Sequence, residues 1–131
     1  SRLPADDSDR VTVIDVPPYG QCMDSALSLA DFVVIPSAAS PADLDQAVST
    51  QSRCAAAGRP CAVLLVRAEP STRAFAGAIE ALDTLQCPRF DHWIPKRQDI
   101  QGGKATRPRG ASLHEYRDMA AELAEALGLS I

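Results

Sequence analysis

The residue best placed to do chemistry is Asp15, which ends a run of apolar and β-branched residues at 11–14 and is followed by Val16 and two prolines. A carboxylate on a buried strand is costly unless it is paired or binds a metal ion. Carboxylate oxygens are the ligands that Mg²⁺ prefers in proteins. The pattern leaves two interpretations open. Asp15 either contributes to a Mg²⁺ site or accepts hydrogen bonds from the N–H groups of the next turn.

Two further apolar runs also end in residues that suit a ligand. Arg67 follows the run 62–66, and Pro95 and Arg97 follow the run 90–94. In open α/β sheets, ligands bind at the carboxyl ends of the strands. An edge that holds a carboxylate, helix starts and two arginines suits a nucleotide with its Mg²⁺. We therefore expect a nucleotide-binding edge.

The charge of the chain is unevenly distributed. The whole chain carries a net charge of −4, whereas residues 89–110 carry six basic and two acidic side chains, a net charge of +4. Basic side chains in an exposed loop can contact the phosphates of DNA without reading its sequence. The best candidates are Lys104, Arg107 and Arg109. The alternative is a solvated loop whose charges balance acidic neighbours.

The elements that must position these residues alternate along the chain. Short runs rich in β-branched residues and without strict alternation predict buried strands. Helix starts such as Ser40-Pro41 and the capping box Ser112–Glu115 predict the helices that connect or follow them. The expected strands are 11–16, 32–36, 62–66 and 90–95, and the expected helices are 22–30, 41–57, 72–85 and 112–127. Crossovers of this length imply parallel strands, so the predicted fold class is three-layer α/β/α with a mostly parallel sheet.

Length and composition are those of a single globular domain. The chain has 131 residues, of which 46% are hydrophobic and 23% are charged, and we assign one α/β domain to 1–131 with a flexible acidic lead-in at 1–10. No segment resembles a signal peptide or a membrane span, so we expect a cytoplasmic protein without a membrane partner. The four cysteines show no Cys-x-x-Cys pair. They are expected to be reduced, half-buried thiols.

Five segments resemble, in the same order, motifs of the ParA/MinD family of deviant-Walker P-loop ATPases. Val13–Pro18 is similar to its I-I-D-T-P-P, and Ala26–Pro36 to its A-L-x-x-A-D-x-V-L-I-P. Ser40–Leu44 is similar to S-P-x-D-L, Leu64–Arg73 to L-N-R-x-D-P-x-T-R, and Ile94–Arg97 to the end of the family's last strand. The resemblance covers residues 10–127, nearly the whole chain.

The resemblance implies a role for each candidate residue. Asp15 would be the Walker B aspartate, the catalytic and metal-binding carboxylate that holds Mg²⁺ through a water, and Pro17 would begin switch II. Arg67 and the stretch from Pro95 to Arg97 would flank the adenine of ATP. The family also implies an ATP-bound homodimer, non-specific DNA binding, and a ParB-like partner that stimulates hydrolysis during DNA partitioning.

The sequence departs from the family pattern in three places. Val66 stands where the family has an adenine-reading Asn, and Val16 stands where it has Thr. No G-x-x-x-x-G-K-[ST] string is present, and the nearest string, Gly102–Ala105, follows no predicted strand. We therefore expect the C-terminal part of a longer ATPase, inactive as this chain alone. The alternative is a non-enzymatic α/β module that binds DNA or a partner protein.

Overall fold

The computed structural model describes residues 10–17, 19–96 and 111–129, with the side chains of all but 111–113. Within these ranges the chain is a small α/β domain with four helices and a two-stranded parallel sheet. The helices are α1 (Gly20–Leu29), α2 (Pro41–Ala56), α3 (Arg73–Thr84) and α4 (Ala111–Leu127), and the strands are β1 (Val33–Ser37) and β2 (Cys61–Leu65). The predicted lead-in up to residue 9 and the predicted basic loop over 97–110 lie outside the described residues.

β1 and β2 pair in parallel, with Val33 opposite Cys61 and Ser37 opposite Leu65. The N–H of Val33 donates to the carbonyl of Pro60 at 2.9 Å, so alternate β1 residues turn their backbone groups toward β2. The backbone groups of Pro36 therefore point away from β2. Its missing N–H costs no hydrogen bond between the two strands.

The predicted fourth strand is an irregular segment rather than a regular strand. Residues 88–96 run along the other side of β2 in parallel, but only two isolated bridges form, Val63 with Arg89 and Ala68 with Pro95. The segment is nevertheless well tied to β2, because the N–H groups of Phe90 and Ile94 donate to the carbonyls of Val63 and Leu65, each at 2.9 Å.

The predicted buried strand at 11–16 is wrong for the chain as the structure describes it. No strand is assigned there, and the side chains of Val11 and Val13 are 67% and 86% exposed. Only Val16 packs against the core. A strand is stable only when a neighbour completes its hydrogen bonds, and no described segment pairs with 11–16.

Local sequence signals explain where the helices begin and end. The Ser40 side chain accepts a hydrogen bond from the Asp43 N–H at 3.2 Å, which caps α2 as predicted, and Gly58 follows its end with φ +70°. Thr72 caps α3 in the same way through the Phe75 N–H at 3.2 Å. α4 begins at Ala111, so the predicted capping residue Ser112 lies inside its first turn. A helix capped by Ser112 would begin at residue 113, two residues later than observed.

Alternate residues of β2 enter two different apolar clusters, because successive side chains of a strand point to opposite faces. Val63 and Leu65 pack with residues of α1, α2 and α3, including Met23, Ala47 and Leu82. On the other face Ala62 and Leu64 pack with Phe90 and Ile94 and with residues of α4: Tyr116, Met119 and Leu123. Helices therefore cover both faces of the sheet.

The cysteines behave as structural thiols. All four are free; Cys54, Cys61 and Cys87 are buried and Cys22 is exposed. Burial, with smaller contributions from the neighbouring thiols, raises the pKa of Cys61 to about 11. None of the four thiols is half-buried, which differs from the prediction made for them. None of the helices in the described ranges is long and apolar enough to cross a membrane.

Candidate functional site

Two predicted site residues, Arg67 and Pro95, become neighbours at the edge where β2 and the segment 88–96 end. Ala68, directly after Arg67, bridges to Pro95, and its N–H donates to the Ile94 carbonyl at 3.0 Å. The N–H of Lys96 donates back to the Ala68 carbonyl at 2.9 Å. Residues far apart in the sequence are thereby fixed side by side at the carboxyl edge of the sheet.

Arg67 has an unusual backbone conformation. Its φ is +49°, in the left-handed region that non-glycine residues rarely occupy. The adjacent Val66 N–H is held by the Ser37 carbonyl at 2.9 Å, and Ala68 is held by the bridge to Pro95. Fixed on both sides, Arg67 projects an exposed side chain that makes no hydrogen bond or ion pair with the described residues. Residues held in this region are enriched at functional sites.

The edge has partial positive charge from several sources. Helices α2 and α3 begin there, after β1 and β2, and their N-termini carry the positive end of the helix dipole. Lys96 Nζ lies 3.5 Å from Glu69 Oε1, and both side chains are about half exposed, so this pair contributes little. Arg67, and Arg73 at the start of α3, are exposed cations without an ion pair in the described part of the edge.

Asp15 is exposed, and among the described residues no bridge or hydrogen bond joins it to Arg67 or Pro95. It makes no hydrogen bond or ion pair in the described part of the chain, and Tyr19, which precedes α1, gives no side-chain cap. The turn-capping interpretation is therefore not observed. No group of three potential ligands that could hold a metal occurs among the described residues. A single carboxylate can still be the protein's share of a Mg²⁺ site, because phosphate oxygens and water supply the other ligands.

The other predicted binding residues lie mostly beyond the described ranges. Arg97, Lys104, Arg107 and Arg109 all fall within 97–110. Arg89, at the start of the basic block, forms a two-pronged pair with Asp83, at 2.8 Å from Nε and 3.0 Å from the terminal nitrogen. These hydrogen bonds hold the pKa of Asp83 below its usual value. The charge of Arg89 is thus already engaged.

Sequence reasoning missed the role of Glu122 in α4. Its carboxylate accepts hydrogen bonds from the N–H groups of Asp91 and His92, at 2.7 and 3.0 Å, and contacts His92 Nδ1 at 2.7 Å. Burial works to raise the pKa of Glu122, but the hydrogen bonds outweigh it and leave the pKa lowered. The only signal in the sequence is the acidic spacing Glu115, Asp118, Glu122 on one helix, which does not say what the carboxylates bind.

A shallow recess of about 190 Å³ lies beside Pro95, lined also by His92, Trp93, Glu115 and Asp118. Its two carboxylates disfavour phosphate and suit a group that donates N–H hydrogen bonds. The Trp93 ring is held edge-on against Phe75, with ring centroids 5.0 Å apart. The recess therefore suits a hydrogen-bond donor better than an anion.

No protein-family model matches the chain, and no curated protein matches it either.

Proposed function

We propose that this chain is the C-terminal portion of a ParA-like ATPase that positions or partitions DNA. In this proposal the two covered faces of the sheet belong to a three-layer α/β/α domain of the P-loop NTPase kind. ATP with Mg²⁺ controls homodimerisation and non-specific DNA binding, and a ParB-like partner stimulates hydrolysis. The observation that carries the proposal is the edge where the strained Arg67 turn lies against Pro95.

Each residue has a defined task in the proposed mechanism. Asp15 would hold Mg²⁺, which would neutralise charge on the phosphates, and Pro17 would begin the segment that responds to the γ-phosphate. Arg67, Pro95 and Arg97 surround the adenine, and the acidic recess beside Pro95 offers acceptors for N–H groups of the base. Lys104, Arg107 and Arg109 contact DNA phosphates. Because catalysis of phosphoryl transfer depends on positioning by a P-loop, the hydrolytic activity belongs to a longer protein that contains one.

The decisive experiment uses the protein produced from its complete reading frame. We expect ATP-dependent DNA binding that weakens steeply with salt and is lost in Asp15→Ala. Asp45→Ala is the matched control, because Asp45 is also exposed, lies on α2 and makes no hydrogen bond or ion pair in the described ranges. A reading frame that starts close to Ser1, without a P-loop upstream, would contradict the proposal.

A second candidate is a non-enzymatic α/β module that binds DNA or a partner protein. It is favoured by the isolation of Asp15 and by the failure of 11–16 to join the sheet. Equal DNA binding with and without ATP, unaffected by Asp15→Ala, would support this module and refute the ATPase.

A further inference from the structure

The segment 88–96 leaves the regular hydrogen-bond pattern of a parallel strand at one place. Val63 donates to Pro88 and accepts from Phe90, at 2.8 and 2.9 Å, as in a regular ladder. The next donor to β2 is Ile94, which bonds to Leu65 at 2.9 Å. Four residues on the segment thus span two residues on β2, so residues 91–93 form a bulge.

A bulge leaves N–H groups without partners from the neighbouring strand, and buried or half-buried N–H groups need a substitute acceptor. Here the N–H of His92, which a regular ladder would direct at Leu65, and the N–H of Asp91 both donate to the carboxylate of Glu122, at 3.0 and 2.7 Å. The His92 ring adds a third contact at 2.7 Å. Because a carboxylate only accepts, Nδ1 carries the proton in this contact.

The bulge determines what the end of the segment presents. It places Trp93 against Phe75, with ring centroids 5.0 Å apart, and brings Pro95 into the bridge with Ala68, directly after Arg67. Ile94 donates to Leu65 and accepts from Ala68, whereas in a regular parallel ladder it would accept from residue 67. The chain after β2 therefore contains one extra residue, which is accommodated by the positive φ of Arg67. The segment has two extra residues at its bulge and the β2 side has one at Arg67, so the two irregularities compensate one another only in part.

We propose that Glu122 is a positioning residue for this edge. By closing the 91–93 bulge, its carboxylate sets where Pro95 lies relative to Arg67, and it couples α4 to that position. An effect of Glu122 on nucleotide binding rests on the proposed function. Its effect on the position of Pro95 relative to Arg67 can be tested without a nucleotide.

The test is amide hydrogen exchange in the full chain, with Glu122→Gln compared against Glu125→Gln. Glu125 is exposed on the same helix, and its side chain makes no hydrogen bond or ion pair in the described ranges. We expect at least tenfold faster exchange at Asp91 and His92 in Glu122→Gln, extending to the edge amides of Ala68 and Lys96. Glu125→Gln should leave all four unchanged.

Fluorescence of Trp93, the single tryptophan, supplies a pH profile. The charged groups around Glu122 are Arg89, Asp91 and His92 on the segment and Asp118 on α4. As the pH falls through the lowered pKa of Glu122, the wild-type emission should change, and Glu122→Gln should lose that transition. If Glu122→Gln does not fold, His92→Ala keeps both backbone N–H donors to Glu122 and should give a smaller acceleration of exchange.

Unchanged exchange at Ala68 and Lys96 in these variants would overturn the proposal. In the protein from the complete reading frame, Glu122→Gln should also weaken ATP binding about tenfold relative to Glu125→Gln. If the wild type binds no ATP, the proposed function fails, while the exchange data still decide the role of Glu122. If it binds ATP and Glu122→Gln opens the edge without changing the affinity, Glu122 positions the edge but its link to nucleotide binding is refuted.

Discussion

Replacing Arg67 by glycine separates the cost of its backbone conformation from the use of its side chain. The left-handed conformation destabilises the folded protein by roughly 1–2 kcal/mol when the residue is not glycine. Glycine avoids this cost but destabilises the folded protein by about 0.4–1 kcal/mol, because it makes the unfolded chain more flexible. The exposed Arg67 side chain makes no hydrogen bond or ion pair with the described residues, so its removal should lower the free energy of unfolding very little. We therefore expect Arg67→Gly to stabilise the fold by about 0.5–1 kcal/mol.

The matched control is Gln86→Gly. Gln86 has φ +54° just beyond α3, where its N–H and that of Cys87 close the helix end on the carbonyls of Asp83 and Leu82 at 3.1 and 2.9 Å. Both variants should raise the midpoint of urea unfolding with an unchanged slope, and raise the melting temperature by about 2–5 °C.

Only Arg67→Gly should weaken ATP binding, measured in the protein from the complete reading frame. A loss of stability in Arg67→Gly alongside a gain in Gln86→Gly would refute the argument, because it would show that the Arg67 side chain supports the fold. Equal ATP affinity in both variants would remove Arg67 from the proposed site.

Three further outcomes are expected. The Arg89 hydrogen bonds lower the pKa of Asp83 in the folded protein, so they stabilise it fully above the pKa of Asp83 in the unfolded chain. This stabilisation is lost as the pH falls through the pKa of Asp83 in the folded protein. Asp83→Asn should therefore reduce the fall of the urea unfolding midpoint at acid pH. A thiol reagent at neutral pH should label Cys22 alone, and the other three cysteines only after unfolding; rapid labelling of more than one thiol in the native protein would contradict their burial. Ser40→Ala should destabilise the protein by about 1 kcal/mol in urea unfolding, because it removes the cap of α2, and no change would show that the cap is dispensable.

The helices could be predicted because their signals are local. Ser40, Thr72 and Gly58 act on backbone groups within a few residues of themselves, so their effect does not depend on the rest of the fold. The apolar runs of β1 and β2 were equally informative, because a continuous run of this kind suits a strand covered on both faces.

The remaining features depend on partners that lie far away in the sequence. Residues 11–16 carry the composition of a buried strand, yet strand formation requires a neighbour that the described residues do not supply. The positive φ of Arg67 and the bulge after Phe90 arise from the mismatch between two paired segments. Neither can be inferred from one segment alone, and Glu122 acquires its importance only through that mismatch.

The placement of Pro36 has a consequence for unwanted association. β1 is the outer strand of the described sheet, and of its residues only Val34 turns an N–H group outward, since Pro36 has none to offer. An open strand edge usually acts as a template for intermolecular pairing and aggregation, and a proline on it prevents that extension. The edge can accept a further strand along its first half only, which favours one register for a specific neighbour and discourages the growth of fibrils.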